Sequence, residues 1–396
     1  MLLLLVSAPL AAQDGGGNPS DGTDPSNEDD AVDPWADFEV GGTADGAYLP
    51  LTLGRDRTGL GLRARGSFGW DSNIFKEDRN EDNALFIDGA AQTYVGLNLG
   101  LFALGARAAI AGRLHFGEPD ADLWDLKLGG FFKMPYSGGF GFGISADVLY
   151  QQLQTYEITG PLTRQDDLRA AGAIARAHIG YQVAFVIFEL GVTGQTTDFT
   201  EERDLPSVDS WTIGADFGVY FSIFNFLELH PYVAFDYEWF RDQFDRQDDG
   251  TILSDEDRLQ LLTFSYGSDF ALNLPFIEAA GRVYSVRQDD SAAGYNRYWQ
   301  YGVRGALDLN LVGAVRLTVG AHFWTREYDD RLDTDDATAA AKTVHERYLR
   351  GFVELAWNFW MFFDVGVRYS YERRASDIDN NGYAAHSVTG FLEISW

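Results

Sequence analysis

The sequence predicts an all-β protein: a transmembrane, antiparallel, up-and-down β-barrel of about sixteen strands, with its long loops on the extracellular side. Three observations favour this fold. Apolar side chains recur at every second position through most of the chain. The connections between these segments are short and long in turn, and aromatic residues gather near the segment ends.

The period of two is clearest in three segments of the chain. In SVTGFLEISW, at 387–396, Val388 and the other even-numbered residues share one face, whereas Glu393 and the odd-numbered residues share the other. Segments 227–239 and 363–372 alternate in the same way. Successive side chains of a β-strand point to opposite faces, so this spacing indicates strands and not helices.

Alternating segments of this kind continue from residue 58 to the end of the sequence. Many of them exceed the roughly five or six residues of an average globular strand and reach the ~9–11 residues that a tilted strand needs to cross a bilayer. The predicted strands are 58–70, 84–98, 102–116, 122–134, 140–155, 166–181, 184–197, 208–222, 227–240, 258–272, 276–288, 296–310, 314–328, 344–357, 362–374 and 385–396.

The connections alternate in length. Long polar connections occur at 71–83, 117–121, 156–165, 198–207, 241–257, 289–295, 329–343 and 375–384, and short ones separate the other strand pairs. Outer-membrane barrels have short periplasmic turns and longer extracellular loops. An even number of strands then places both ends of the chain on the short-turn, periplasmic side.

Aromatic residues are predicted at both ends of the strands. Trp70 and Trp239 lie near long loops, and Trp357 and Trp396 lie near short turns. Two aromatic girdles around an apolar band are typical of a transmembrane barrel. A large soluble β-sandwich or barrel would alternate equally well and is the alternative fold.

The first part of the chain differs from the rest. Residues 1–12, MLLLLVSAPLAA, have the apolar run and small residues of a signal peptide, although a basic start is missing. Residues 13–57 are predicted to be an acidic, disordered leader and transition segment, because 13–34 are rich in Gly, Pro, Ser and Asp. The barrel is assigned to 58–396.

Composition excludes several functions. The chain carries 30 Lys and Arg against 60 Asp and Glu, a net charge of −30, which argues against binding to nucleic acid. It has no Cys, so disulfides and thiolate metal sites are excluded.

Two motifs resemble those of a known family. The ending FLEISW is similar to the C-terminal assembly signal of Gram-negative outer-membrane proteins, which implies recognition by the barrel assembly machinery. GSFGWDSNIFKEDRNEDNALF, at 66–86, resembles the "YDSNVFR" opening of the β-barrel porin family, with Lys76 where Arg is commoner. The resemblance implies a porin-like protein of the outer membrane. Some relatives lie in exopolysaccharide export loci, which implies an export channel as an alternative.

Charged residues on the predicted inner face are the candidate functional set. Charges on the lipid face would be costly, so water or mutual pairing must satisfy them inside. We predict a lumen that passes small polar solutes, with Arg304 near Arg316 and Arg368 near Glu354. The alternative is a closed, structural barrel that displays acidic loops or anchors partners. The predicted pore-lining residues are Arg63, Arg65, Arg107, Arg113, Arg176, Arg304, Arg316, Arg368, Asp216, Asp236, Glu354 and Asp364.

The string DRQDDGTILSDE, at 245–256, matches the ligand spacing of an EF-hand calcium loop. Asp245, Asp249 and Glu256 are the candidate ligands. Strand patterns on both sides replace the flanking helices of an EF-hand, so we expect at most weak Ca²⁺ binding, with loop stiffening or bridging to lipopolysaccharide as its role. Solvated acidic loops are the alternative.

No catalytic motif accompanies the six His residues. His345 and His386 have Asp and Ser nearby in the sequence, but no nucleophile motif surrounds them. The sequence therefore predicts a barrel that is not an enzyme, with membrane lipid, lipopolysaccharide and small solutes as its partners.

Overall fold

A computed structural model gives the fold of the chain. The predicted signal peptide, leader and calcium loop lie outside the described residues. These are 59–73, 83–117, 122–134, 136, 139–155, 165–199, 209–223, 226–244, 258–290, 296–311, 314–332, 343–377 and 382–395.

Sixteen antiparallel strands form the structure, in agreement with the prediction. They are β1 (Gly59–Asp71), β2 (Ala84–Asn98), β3 (Ala103–His115), β4 (Leu123–Met134), β5 (Phe140–Thr155), β6 (Gln165–Val183), β7 (Val186–Phe199), β8 (Ser210–Ile223), β9 (Leu227–Phe244), β10 (Arg258–Leu274), β11 (Ile277–Asp290), β12 (Tyr298–Asn310), β13 (Val315–Leu332), β14 (Thr343–Trp360), β15 (Phe363–Ser376) and β16 (Tyr383–Ser395).

Each strand pairs with its neighbours in sequence, and β1 pairs with β16 to close the barrel. At this junction Arg63 lies opposite Ser395 and Trp70 lies opposite Val388. Closure removes the free edges that an open sheet would present. Every strand therefore has a hydrogen-bonding partner on both sides, which a lipid environment demands.

Several strands extend further than predicted on the long-loop side. β9 reaches Phe244 and β13 reaches Leu332, whereas the predicted strands end at 240 and 328. Polar residues such as Asp329 interrupt the apolar alternation there. Outside the apolar band both faces of a strand meet water, so the hydrogen-bonded ladder continues without an apolar signal.

The two faces of the sheet differ in chemistry. Along β1, Leu60 (57 % exposed), Phe68 (54 %) and Trp70 (39 %) point outward, whereas Arg63 and Arg65 point inward. Exposed Leu, Val, Ile, Phe, Tyr and Trp side chains recur on the outer face around the whole barrel. Such a continuous apolar surface is far larger than the apolar patches of soluble monomers.

Short turns join the strands at the end where β1 begins. β6 and β7 are connected by two residues, and Ala184 in this turn has a φ of 54°. Tight hairpin turns need positive φ because their twist then matches that of the strands. No helix in the described part of the chain is long and apolar enough to cross a membrane.

A charge placed in the middle of the outward apolar surface tests whether this surface lies in the membrane. Val353 lies outward on β14 and is 46 % exposed. We expect Val353→Arg to destabilise the barrel folded in phospholipid vesicles by about 2–4 kcal/mol, because the side chain must enter hydrocarbon. Urea titration of the refolded protein, followed by tryptophan fluorescence, measures the change.

Thr325, outward on β13 near the long-loop end, provides the control position. We expect Thr325→Arg to cost about 0–1 kcal/mol, because it lies close to the interface. Equal costs at the two positions would contradict a bilayer band centred near Val353.

Candidate functional site: the charged inner wall

The structure places all twelve predicted lining residues on the inner face. The strand register gives this placement, because directly opposed residues on neighbouring strands lie on the same face of the sheet. Arg63 is opposite Gln92, and Arg107 is opposite Gly129. None of the twelve is fully exposed. Several of them form ion pairs, some within the set and some with other inner-wall carboxylates such as Glu393 and Asp147.

A first group of charges links the first strand of the barrel to its last three strands. We call it the closure cluster, and it consists of Arg63, Arg65, Glu354, Arg368 and Glu393. Arg63 donates hydrogen bonds of 2.7 and 2.9 Å to the two oxygens of Glu393. Arg65 on β1 reaches Glu354 on β14 at 3.0 Å. Arg368 is the register partner of Glu354, as predicted. Both carboxylates are buried, so removing one partner would strand a charge.

A second group follows strands β3 to β8. Arg107 donates hydrogen bonds of 2.9 and 2.7 Å to Asp147, across the intervening strand β4. Arg176 bridges Glu189 at 3.1 Å and Asp216 at 2.9 Å. Bidentate and bridging guanidinium pairs are the strong form of such contacts. These contacts link strands β3 to β5 and β6 to β8 along the wall.

Tyr136 contributes to the site from the short turn between β4 and β5. Its hydroxyl donates a 2.6 Å hydrogen bond to Glu189, and its ring covers Gly141 and Gly180 inside the barrel. From the sequence, 135–139 is predicted only as a short turn. A lone aromatic residue in a short turn was the available signal.

Strands β8 to β11 hold a further network around Asp269. Arg282 donates two hydrogen bonds to this carboxylate, one of them 2.6 Å long, and His230 lies 3.3 Å from it. The His230 ring stacks on Tyr220 with a centroid distance of 3.7 Å. The imidazole is held between a carboxylate and an aromatic face.

A cluster at the long-loop end, the rim cluster, consists of Glu346, Arg326, Arg374, Gln300 and Tyr298. Glu346 is completely buried and accepts hydrogen bonds of 3.1 and 3.0 Å from Arg374. Arg326 lies 3.6 Å from the same carboxylate, donates two hydrogen bonds to Gln300 and covers the ring of Tyr298 at 4.3 Å. Glu346 and Arg374 were missed. Their position in the alternation, shared with Glu354 and Arg368, could have revealed them.

Glycine, an aromatic ring and an arginine form repeated layers on the inner wall. The ring lies where a glycine side chain would be, and the guanidinium covers the ring, so both lie flat against the sheet. Such stacks are Gly366–Phe391–Arg65, Gly320–Phe352–Arg368, Gly69–Phe86–Arg113 and Gly267–Tyr232–Arg282, with guanidinium-to-ring distances of 3.6, 3.9, 4.0 and 5.0 Å.

Four basic side chains occupy directly opposed positions on neighbouring strands, and we call them the basic row: Arg282, Arg304, His322 and Arg350. Opposed like charges are unfavourable unless other groups compensate them. Asp269 binds Arg282, and Glu372 is the register partner of Arg350. Because barrel strands are tilted, this row crosses the inner wall diagonally.

The predicted proximity of Arg304 and Arg316 is wrong. Arg304 lies opposite His322, and Arg316 lies opposite Asn310. On β13, Arg316 lies six residues from His322, the register partner of Arg304. Six residues of strand span about 20 Å, so the two arginines are far apart.

The predicted calcium ligands Asp245, Asp249 and Glu256 lie outside the described residues. In the described strands and turns, no group of three or more His, Asp or Glu side chains is arranged to hold a metal ion. The metal site therefore stays a prediction.

Comparison with known proteins gives structural matches alone. No protein family and no curated protein matches the sequence. OmpT of Vibrio cholerae is 10 % identical, with 85 % of this chain and 97 % of that chain covered and a TM-score of 0.44. OccAB1 of Acinetobacter baumannii is 9 % identical (85 % and 96 %, TM-score 0.45), and opdK of Pseudomonas aeruginosa is 10 % identical (85 % and 98 %, TM-score 0.42).

The architecture is that of a Gram-negative outer-membrane β-barrel. An even number of antiparallel strands, closure, an outward apolar band and a polar interior together define this class. The protein therefore contacts membrane lipid with its outer face.

The stacks predict a difference between two glycines. A Cβ on Gly366 would lie 2.4 Å from the Phe391 ring and 2.5 Å from the carbonyl oxygen of Leu355, whereas one on Gly66 would contact nothing within 4 Å. We expect Gly366→Ala to lower the free energy of unfolding by about 1–3 kcal/mol, because the ring must move from its place under Arg65.

Urea titration in detergent micelles measures this loss. The matched control, Gly66→Ala, should leave stability unchanged or slightly higher, since alanine is favoured over glycine in strands. Similar losses in both variants would show that the ring does not depend on the glycine.

Proposed function

We propose that this protein is an outer-membrane channel for the passive diffusion of small hydrophilic solutes. The observation that carries the proposal is the direction of the inner-wall ion pairs. Each pair described above joins strands no more than three apart in the barrel, as Arg65 on β1 does with Glu354 on β14. Among the described residues, these pairs run along the wall and do not reach across the barrel.

The width of the barrel supports the same function. Barrels of eight strands are filled by their own side chains, whereas those of 16–18 strands leave an aqueous channel. The glycine–ring–arginine stacks add to this, because they hold large side chains flat on the sheet. A closed structural barrel would need side chains or chain segments that fill the lumen.

The distribution of charge supports a selective channel. The basic row lies on β11 to β14, whereas the carboxylates Asp236 and Glu238 lie together on β9. Separated charges of this kind create a field across the lumen, which orients dipolar solutes and distinguishes ions by sign. His230 and His322 are held by Asp269 and Tyr284, and the proposal assigns them no catalytic role.

Single-channel recording in planar bilayers tests the proposal. We expect stable open steps from the refolded protein. Replacing Arg304 and Arg350 together by Gln should shift the reversal potential in a salt gradient toward cation preference, because two fixed positive charges leave the inner wall.

Arg287→Gln is the control, because it removes a positive charge from the outer face and leaves the inner wall unchanged. Its reversal potential should equal that of the wild type. Folded protein that shows no conductance would overturn the channel and favour a closed barrel. An equal shift in the control would show that the basic row does not govern selectivity.

A further inference from the structure

Two arginines lie on the outer face of the barrel near its long-loop end. Arg347 on β14 and Arg373 on β15 are exposed. Their outward direction follows from register, because the adjacent residues Glu346 and Arg374 are buried partners inside the barrel. Arg347 lies opposite Ala375, so Arg373 is its diagonal neighbour. Diagonal neighbours have Cβ atoms roughly 7–8 Å apart, close enough for both guanidiniums to reach one anion.

The height of this pair follows from the strands themselves. Trp357 lies outward at the other end of β14, ten positions from Arg347, and Phe363 lies ten positions from Arg373 on β15. Ten residues of strand span about 33 Å, or about 25 Å along the axis at a tilt near 40°. This equals the height of the apolar band of outer-membrane barrels, about 25 Å. The arginines therefore lie where hydrocarbon ends and lipid headgroups begin.

The side chains below the pair belong to the interface. Tyr369 is outward and 45 % exposed, and its hydroxyl lies 2.8 Å from Nδ1 of His386. The ring of Tyr371 lies 4.9 Å from the His386 ring. Amphipathic rings of this kind mark the headgroup level of a bilayer.

Neither guanidinium has an ion pair or a hydrogen bond with another side chain in the described part of the chain. Arg287, outward at the same end of β11, is different. It lies 2.8 Å from Asp289 and 2.7 Å from Asp329, so its charge is neutralised within the protein. Glu327, outward on β13, is the other diagonal neighbour of Arg347 and forms no ion pair with it. The two arginines therefore repel each other, and a shared anion removes this cost.

We infer that Arg347 and Arg373 form a binding site for a phosphate group of the lipopolysaccharide in the outer leaflet. The guanidinium fork matches phosphate oxygens bidentately. The occupant follows from location, since phosphate at the headgroup level outside the barrel belongs to lipid. It follows also from charge, because a protein with a net charge of −30 repels anionic lipid except where cations are unpaired.

The inference is independent of conduction, since an outward site on a closed barrel would bind lipid equally well. Full-length protein in neutral detergent is titrated with diphosphorylated lipid A, and bound lipid is counted by native mass spectrometry. We expect Arg347→Gln combined with Arg373→Gln to weaken binding by at least tenfold. Arg287→Gln is the matched control, and it should bind as the wild type does.

Three further comparisons separate the sources of binding. Lipid A without phosphate should bind the wild type no more tightly than diphosphorylated lipid A binds the double Gln variant. Inorganic phosphate at millimolar concentration should not displace lipid A, because a free anion lacks the acyl chains that hold it at this height. Arg347→Lys with Arg373→Lys should retain part of the affinity, which a purely structural role would not predict.

Heat-modifiable migration on gels confirms that each variant is folded. Wild-type affinity in the double Gln variant, or an equal loss in Arg287→Gln, would overturn the inference. Displacement by inorganic phosphate alone would overturn the lipid as the occupant.

Discussion

The pairing of every backbone amide in an environment without water is the constraint on which this structure depends. A sheet satisfies that requirement in lipid only when its first and last strands meet. β1 and β16 do so along nine opposed positions, from Arg63 to Asp71. Once the cylinder is closed, the period of two assigns each side chain to lipid or to the interior. The outward apolar band and the charged inner wall both result from this alternation.

The interior shows how the inner wall of a wide barrel accommodates many charges. Glycine on one strand provides room for a ring from the next, and the ring supports a guanidinium. Carboxylates such as Glu354 and Glu393 then complete the pairing while remaining buried. A buried ion pair is costly unless its geometry and hydrogen bonds are good. Here the stacked rings fix the geometry, so the charges stay at the wall.

Sequence alone predicted the strand count and the inward face, because parity is fixed along a strand once one charged residue is placed. It predicted the neighbourhood of Arg368 and Glu354 across a short hairpin as well. It placed Arg304 beside Arg316 wrongly, because the register of a hairpin depends on the turn and not on the alternation. It missed Tyr136, whose role arises from a turn that folds back over two glycines. Glu346 and Arg374 were overlooked at the strand ends, where polar residues on both faces conceal the period.

The junction between the first and last strands has a consequence for the order of assembly. Arg63 and Glu393 are 330 residues apart in sequence, whereas every other adjacent pair of strands is joined by one turn or loop. The entropy of closing a chain grows only with the logarithm of its length, so this contact costs about 3 kcal/mol more than a hairpin of about a dozen residues. The hairpins therefore form before this contact, and the pairing of β1 with β16 forms last. Until then β1 and β16 are two exposed edges, and the C-terminal strand is available as a template to any machinery that guides the barrel into the membrane.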